Sequence, residues 1–156
     1  MSKDINKFKK FLVKAKINTY ALSGESGERK LPDEAKELEF IEGSFKYRDR
    51  YFGYNPFIGQ EIVFQNRRPV WGMNYYGKII SEFILPQQIY QFLKEALRKA
   101  TEDKLFRGPE IYNKEDFEYN NEIEGTLAKF TGYEQIFYKK QKVYQLNYCG
   151  RFIQEK

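Results

Sequence analysis

Apolar side chains recur at helical spacing in two segments of the chain. In residues 4–16 they form one stripe and lysines form the opposite stripe, which predicts an amphipathic helix. A second helix is predicted from Pro86, an acceptable first helical position, because apolar residues then recur every three or four positions up to Ala100. Residues 18–35, which include glycines and Pro32, are predicted to form a long loop.

Other segments alternate between apolar and polar residues, as half-buried strands do. Strands are predicted at about 37–41, 45–52, 60–65 and 69–77, and again near 117–123, 134–139 and 142–149.

Residues 45–80 resemble residues 117–153 once the second segment is allowed one extra residue. The matched pairs include Phe45 with Phe117, Tyr47 with Tyr119, Gly59 with Gly132, Glu61 with Glu134, Asn74 with Asn147 and Tyr75 with Tyr148. Such a repeat predicts a pseudo-symmetric pair of units.

A predicted helix precedes each copy, so we expect an α+β protein with internally duplicated helix-plus-three-strand units. The strands would form an antiparallel curved sheet or a partial barrel, with the two helices packed on it. We predict one domain over residues 1–156, with repeats at about 4–80 and 86–153.

Composition restricts the chemistry of this domain. The 156 residues include no histidine and one cysteine, Cys149, which excludes a histidine-based triad, a Cys/His zinc site and an intramolecular disulfide. We expect no metal and no cofactor. Because no apolar run is long enough to span a membrane, we expect a cytoplasmic protein without a membrane partner. Residues 1–30 hold eight Lys/Arg and three acidic residues, so they account for the formal charge of +5.

The two copies differ in charge along one predicted strand. In residues 45–52 the polar face carries Lys46, Arg48 and Arg50. The second copy carries Glu118, Asn120, Glu122 and Glu124 at the corresponding positions. Two explanations stay open: the two strands attract each other, either paired or facing, or the basic side chains form an anion-binding strip.

Arginine, amide and aromatic side chains of the first copy suit a planar anionic ligand, which they would hold by stacking and bidentate hydrogen bonds. Asp49 and Glu61 alternate onto apolar faces, where a carboxylate needs hydrogen-bond partners, and are expected to organise the pocket. The predicted ligand-binding residues are Arg48, Asp49, Arg50, Glu61, Trp71, Asn74, Tyr75, Tyr76 and Arg107.

From these features we predict a non-catalytic binding module that senses or sequesters a small anionic or planar ligand, or docks a protein partner. One alternative is association with nucleic acid or a transcription regulator through the basic face of the first helix. Another is an enzyme with Asp49 and Glu61 as an acid–base pair, which requires carboxylates about 5–10 Å apart.

Several segments together resemble a known family. They are 11–16 (FLVKAK), 19–21 (TYA), 47–51 (YRDRY), 57–61 (FIGQE), 69–77 (PVWGMNYYG) and 106–109 (FRGP). The family is a bacterial and archaeal group of uncharacterised domains, which occur alone or behind a helix-turn-helix of the XRE regulator type. The resemblance spans nearly the whole chain, and residues 69–77 are its most specific part. It implies a context but no activity.

Overall fold

Two α-helices are present in the computed structural model, which describes residues 2–21 and 27–156. They are α1 (Ser2–Lys16) and α2 (Pro86–Leu97), and both predicted helices are therefore confirmed. In the described part of the chain, neither helix has the length and apolar composition that crossing a membrane requires.

The predicted loop at 18–35 is only partly a loop. A wide π-type turn at Ile17–Ala21 continues from α1, and a two-residue strand lies near the end of the segment. Residues 22–26 of this prediction lie outside the described residues.

The strands form one nine-stranded sheet. They are β1 (Arg29–Lys30), β2 (Lys36–Glu42), β3 (Phe45–Gly53), β4 (Phe57–Gln65), β5 (Arg68–Ile79), β6 (Ile111–Lys114), β7 (Phe117–Thr126), β8 (Lys129–Tyr138) and β9 (Gln141–Phe152). Their order is β1-β2-β3-β4-β5-β9-β8-β7-β6, and all neighbours are antiparallel. This open sheet with two helices confirms the α+β class and is consistent with a curved antiparallel sheet.

Each half of the sheet is a meander of four strands, not three. β2 to β5 follow one another, β6 to β9 do the same, and β5 pairs with β9 at the centre. The sequence gives little sign of β6, because its four residues are too few to show an alternating pattern. It forms because pairing with β7 satisfies its backbone groups.

β3 and β7, whose polar faces have opposite charge, are separated by four strands. The prediction that these two strands attract each other as a pair is therefore wrong. The basic side chains of β3 instead meet acidic side chains of β2: Lys46 lies 2.7 Å from Glu39, and Arg50 lies 2.6 Å from Glu37. Antiparallel pairing places these residues close together along the two strands.

One face of the sheet, the inner face, is covered by both helices. Phe8 of α1 contacts Trp71 with ring centroids 6.1 Å apart, and Phe92 of α2 stacks on Phe117 at 4.8 Å. Alternation along β5 buries Trp71, Met73 and Tyr75 on the inner face and exposes Asn74 and Tyr76 on the opposite, outer face. The inner face is therefore the core of the protein.

Candidate functional site

Two glutamates are buried on the inner face, at matching places in the two halves of the sheet. Glu61 on β4 accepts hydrogen bonds from Tyr47 Oη (2.5 Å) and Lys16 Nζ (2.8 Å). Glu134 on β8 accepts from Tyr119 Oη at 2.5 Å and from Arg107 Nε and Nη2 at 3.0 and 2.9 Å. Each carboxylate thus has a tyrosine and a cation as partners, which is what a buried charge requires.

The two cations respond differently to burial. Burial lowers the pKa of Lys16, although the Glu61 carboxylate opposes this shift. Burial also disfavours the charged form of Arg107, but the Glu134 carboxylate outweighs it and raises the pKa of the guanidinium. Arg107 therefore stays charged, whereas burial makes Lys16 the weaker of the two bases.

Asp49 lies beside Glu61, since the two residues are direct partners in the β3–β4 register. Its side chain is 6% exposed and accepts a hydrogen bond of 2.6 Å from Tyr75 Oη. Burial and the neighbouring Glu61 raise the pKa of Asp49 to about 7, against the opposing effects of Tyr75, Arg107 and Lys16. Directly opposed residues of paired antiparallel strands have Cβ atoms about 4.5–5.5 Å apart, so the two carboxyl groups are neighbours on the inner face.

The second half has an asparagine where the first has Asp49. Asn121 is the register partner of Glu134 and accepts a 2.7 Å hydrogen bond from Tyr148 Oη. Its amide group also donates to the Gly108 carbonyl at 3.1 Å. Both polar atoms of the Asn121 side chain thus form hydrogen bonds. Among the described residues, the side-chain donor to Asp49 is Tyr75.

Glycine makes room for the tyrosine that binds Asp49. The Tyr75 ring lies across Gly59, where an added Cβ would be 2.4 Å from Tyr75 Oη. Tyr148 lies across Gly132 in the same way, with 2.0 Å between the added Cβ and Tyr148 Cζ. No side chain larger than hydrogen fits at either position unless the ring moves.

A pocket opens beside Asp49, between the inner face, α2 and the π-type turn. Its polar end holds Asp49, Glu61, Lys16, Tyr47, Tyr75 and Arg107. Its other walls are aromatic and apolar, and include Tyr51, Tyr54, Phe57, Tyr90, Leu93 and Leu97. The cavity of this inner pocket has a volume of about 60 Å³. Apolar walls that end in a few convergent polar groups are typical of small-molecule sites.

The corresponding place in the second half is filled. Phe106 stacks on Phe130 with ring centroids 4.0 Å apart, and the Gly108 amide donates to Tyr119 Oη at 3.0 Å. The chain before β6 therefore covers the polar groups of the second half, where the first half has open space.

A second, wider depression lies on the outer face and is called here the outer groove. It is lined by Arg48, Arg50, Phe52, Ile58, Gln60, Asn74, Tyr76, Thr131, Asn147 and Cys149, and by Gly59, Tyr75, Gly132 and Tyr148 from the middle of the sheet. Its volume is about 720 Å³, which is much larger than that of the inner pocket. Arg50 Nε and Nη2 donate to Glu37, while the Arg48 guanidinium lies over the Phe64 ring at 5.1 Å.

The nine predicted site residues do not form one cluster. The inner pocket brings together Asp49, Glu61, Tyr75 and Arg107. The outer groove is lined by Arg48, Arg50, Asn74 and Tyr76, and Tyr75 also contributes to it. Trp71 is fully buried against Phe130, and its Nε1 is the buried side-chain polar atom that lacks a hydrogen-bond partner within the described residues. A strand's alternation places neighbouring residues on opposite faces, which is why the set divides.

Sequence reasoning missed the contributions of the helices to the inner pocket. Lys16 follows Leu12 by four positions, so it continues the apolar stripe of α1, and a lysine on a buried stripe was the available signal. The helical spacing of α2 predicts Leu93 only as a core residue and does not single out Tyr90. Within the described residues, no group of three or more His, Cys, Asp or Glu is arranged to hold a metal ion.

The lysine face of α1 is exposed at Lys7 and Lys10, and Lys14 binds Glu42 at 3.0 Å. The side chain of Lys3 lies outside the described residues.

Residues 49–153 match the family described as a domain of unknown function (DUF5680). The match covers most of the chain, from Asp49 on β3 to the residue after β9, and the chain belongs to this family. No curated protein and no solved structure matches it.

Proposed function

We propose that the protein is a binding module that takes up a small planar molecule in the inner pocket. The observation that carries this proposal is Asp49, a buried carboxylate with one tyrosine donor at the end of an aromatic pocket. Burying an ionisable group without a cation is costly, and such groups cluster at functional sites. Flat aromatic walls favour a flat ligand, because stacked rings exclude water over a large area.

We also propose that the two halves of the sheet arose by internal duplication. Matching tyrosines make matching contacts, since Tyr47 donates to Glu61 and Tyr119 donates to Glu134. The cations come from different places: Lys16 ends α1, and Arg107 lies between α2 and β6. Features that both halves have are then scaffold. Asp49, which is Asn121 in the other half, is one polar difference between them, and it lies where the first half is open. Another is Trp71, which is Tyr144 in the other half, where the Tyr144 hydroxyl donates to Glu134 at 2.9 Å.

The test is a titration with indole, a planar neutral probe, followed by amide chemical shifts in two-dimensional NMR. We expect the shifts to change around Tyr47, Phe57 and Leu93 at the inner pocket, and to stay unchanged around Thr131 and Cys149 at the outer groove. A probe that changes shifts all over the surface, or none at all, would count against the proposal.

Leu97→Phe is the blocking variant, since Leu97 is buried and lines the inner pocket. It should weaken indole binding at least tenfold. Ile58→Phe is the matched control, because it enlarges an exposed apolar residue in the outer groove. If both variants bind indole like the wild type, the inner pocket is not the site.

The outer groove supports a second candidate, an anionic ligand. Arg48 and Arg50 line it, and no carboxylate of the described residues does. Tyr76, 59% exposed, offers a ring for stacking, and Asn74 offers an amide. A nucleoside monophosphate titrated under the same NMR conditions should shift resonances around Thr131 and Cys149 if this candidate is correct, and Arg48→Ala should remove the effect.

In a protein of the regulator-associated kind that the sequence resembles, we propose that ligand uptake in the inner pocket serves sensing. Occupation would order the π-type turn at Ile17–Ala21, which supplies Thr19, Tyr20 and Ala21 to the pocket wall.

A further inference from the structure

At the polar end of the inner pocket, the described charged groups form two ion pairs and leave one carboxyl group outside them. Lys16 and Glu61 form one neutral ion pair, with Nζ and Oε2 2.8 Å apart. Arg107 and Glu134 form a second neutral pair, with Nη2 and Oε1 2.9 Å apart. Asp49 is the remaining ionisable carboxyl at the polar end, and within the described residues no cation forms an ion pair with it.

An anionic ligand is disfavoured by this arrangement. The guanidinium and ammonium groups that would receive an anion already donate to glutamates, so a ligand would have to displace a buried partner. The carboxylate oxygens of Asp49 accept hydrogen bonds and, when ionised, attract positive charge. The pocket is therefore complementary to a donor.

We infer that the ligand of the inner pocket is a planar molecule with a cationic or paired N–H donor end, of the amidine or protonated aminoheterocycle type, and that Asp49 receives this end. The inference rests on the proposed function and specifies its ligand class. Two parallel N–H donors match a carboxylate in bidentate geometry. The remainder of the ring would lie between Tyr51, Phe57 and Tyr90, which wall the pocket.

Burial and four neighbouring groups determine the pKa of Asp49: Glu61 on β4, Tyr75 on β5, Arg107 before β6 and Lys16 on α1. The other titratable groups of the pocket wall are Tyr47 and Tyr51 on β3, and Tyr20, Tyr54 and Tyr90, while apolar Leu38 is the register partner of Asp49 on β2. Because the pKa of Asp49 is raised to about 7, the carboxylate is largely protonated at pH 5 and largely ionised at pH 8.

The experiment compares three probes of nearly identical shape: benzamidine, which is cationic, benzamide, which is neutral, and benzoate, which is anionic. Calorimetric titration at pH 8 should give benzamidine at least a tenfold lower Kd than benzamide, and benzoate the highest. Asp49→Asn should raise the Kd of benzamidine to that of benzamide. The variant is expected to fold, because Asn121 occupies the matching position in the other half.

The pH profile provides a readout that a purely structural role would not produce. Benzamidine stays cationic from pH 5 to 8, so its affinity should fall about tenfold per pH unit below pH 7 as Asp49 becomes protonated. Tyr75→Phe keeps the carboxylate but removes the hydrogen bond that lowers its pKa. This variant should therefore move the midpoint of the profile to higher pH, while Asp49→Asn should make the profile flat.

The outcomes distinguish a wrong ligand class from a wrong binding site. If benzamide or benzoate binds the inner pocket as tightly as benzamidine, or if Asp49→Asn leaves benzamidine binding intact, the ligand class is refuted and the pocket remains. If none of the three probes and no indole binds there, the proposed function fails with it.

Discussion

Asp49 and Asn121 lie in matching registers of the two halves of the sheet, and each accepts a hydrogen bond from a tyrosine that lies over a glycine. The distances are 2.6 Å from Tyr75 Oη to Asp49 and 2.7 Å from Tyr148 Oη to Asn121. The geometry is the same, but one half has an ionisable group and the other a neutral amide.

The first prediction concerns stability and pH. The pKa of Asp49 is 3.8 without the fold and about 7 within it, so the folded state holds the proton more tightly. This contribution to the free energy of unfolding is complete below pH 4 and is lost as the pH rises through 7. Raising the pKa of Asp49 from 3.8 to about 7 corresponds to roughly 4 kcal/mol in the free energy of unfolding.

Asp49→Asn should therefore gain stability relative to the wild type as the pH rises from 4.5 to 7.5. Urea unfolding of both proteins at several pH values measures the difference. Titrating groups that do not interact with Asp49 are common to the two proteins and cancel. A difference that stays constant over this range would show that Asp49 does not have a raised pKa.

The second prediction compares the two buried glutamates. Glu134→Gln leaves Arg107 charged and unpaired, which should cost about 3–5 kcal/mol. Glu61→Gln should cost less, because burial already lowers the pKa of Lys16 and the amine can release its proton. The cost of Glu61→Gln should also fall as the pH rises, whereas that of Glu134→Gln should not.

Urea unfolding at pH 6 and pH 9 would measure both costs. The double variant Arg107→Met with Glu134→Gln is the control, since it removes the unpaired charge and should be more stable than Glu134→Gln alone. If Glu61→Gln and Glu134→Gln lose the same free energy of unfolding at both pH values, Lys16 does not release its proton more readily than Arg107.

The third prediction concerns the glycines beneath the tyrosines. Gly59→Ala and Gly132→Ala should each destabilise the protein by about 1–3 kcal/mol, because the added Cβ displaces a buried ring. Only Gly59→Ala should also weaken benzamidine binding, since it moves the donor of Asp49. Gly43→Ala is the control: its Cβ meets nothing within 4 Å, so backbone strain at φ +62 is its main effect. If Gly59→Ala and Gly132→Ala bind benzamidine equally well, the position of Tyr75 does not affect binding in the pocket.

The fourth prediction separates the two arginines of β3. Arg50 donates twice to Glu37, which is 3% exposed, so Arg50→Ala should lower the stability by about 1–3 kcal/mol. Arg48 contacts the Phe64 ring and has no ion pair within the described residues, so Arg48→Ala should change the stability by less than about 0.5 kcal/mol. Neither variant should alter benzamidine binding. A loss of benzamidine binding in Arg48→Ala would mean that the two faces are coupled.

Much of the candidate site followed from alternation along the strands. The pattern around Asp49 and Glu61 identified buried carboxylates among aromatic residues, and the structure places both at one pocket. The same pattern separates Arg48 from Asp49, because adjacent strand residues point to opposite faces. The outer groove and the inner pocket therefore divide the predicted set. Lys16, Tyr90 and the π-type turn could not be assigned to the pocket, since their contacts are between residues far apart in the chain.

The sequence alone determined two amphipathic helices, most of the strands, the α+β class and the resemblance between the two sheet halves. Local periodicity encodes these features, because it states which side of each element faces the core. The tertiary structure decided that β5 pairs with β9, that β3 and β7 are far apart, and that space is open beside Asp49 while Phe106 and Gly108 fill the matching place. Such outcomes depend on packing between distant segments, where the volume of a few side chains determines whether a pocket exists.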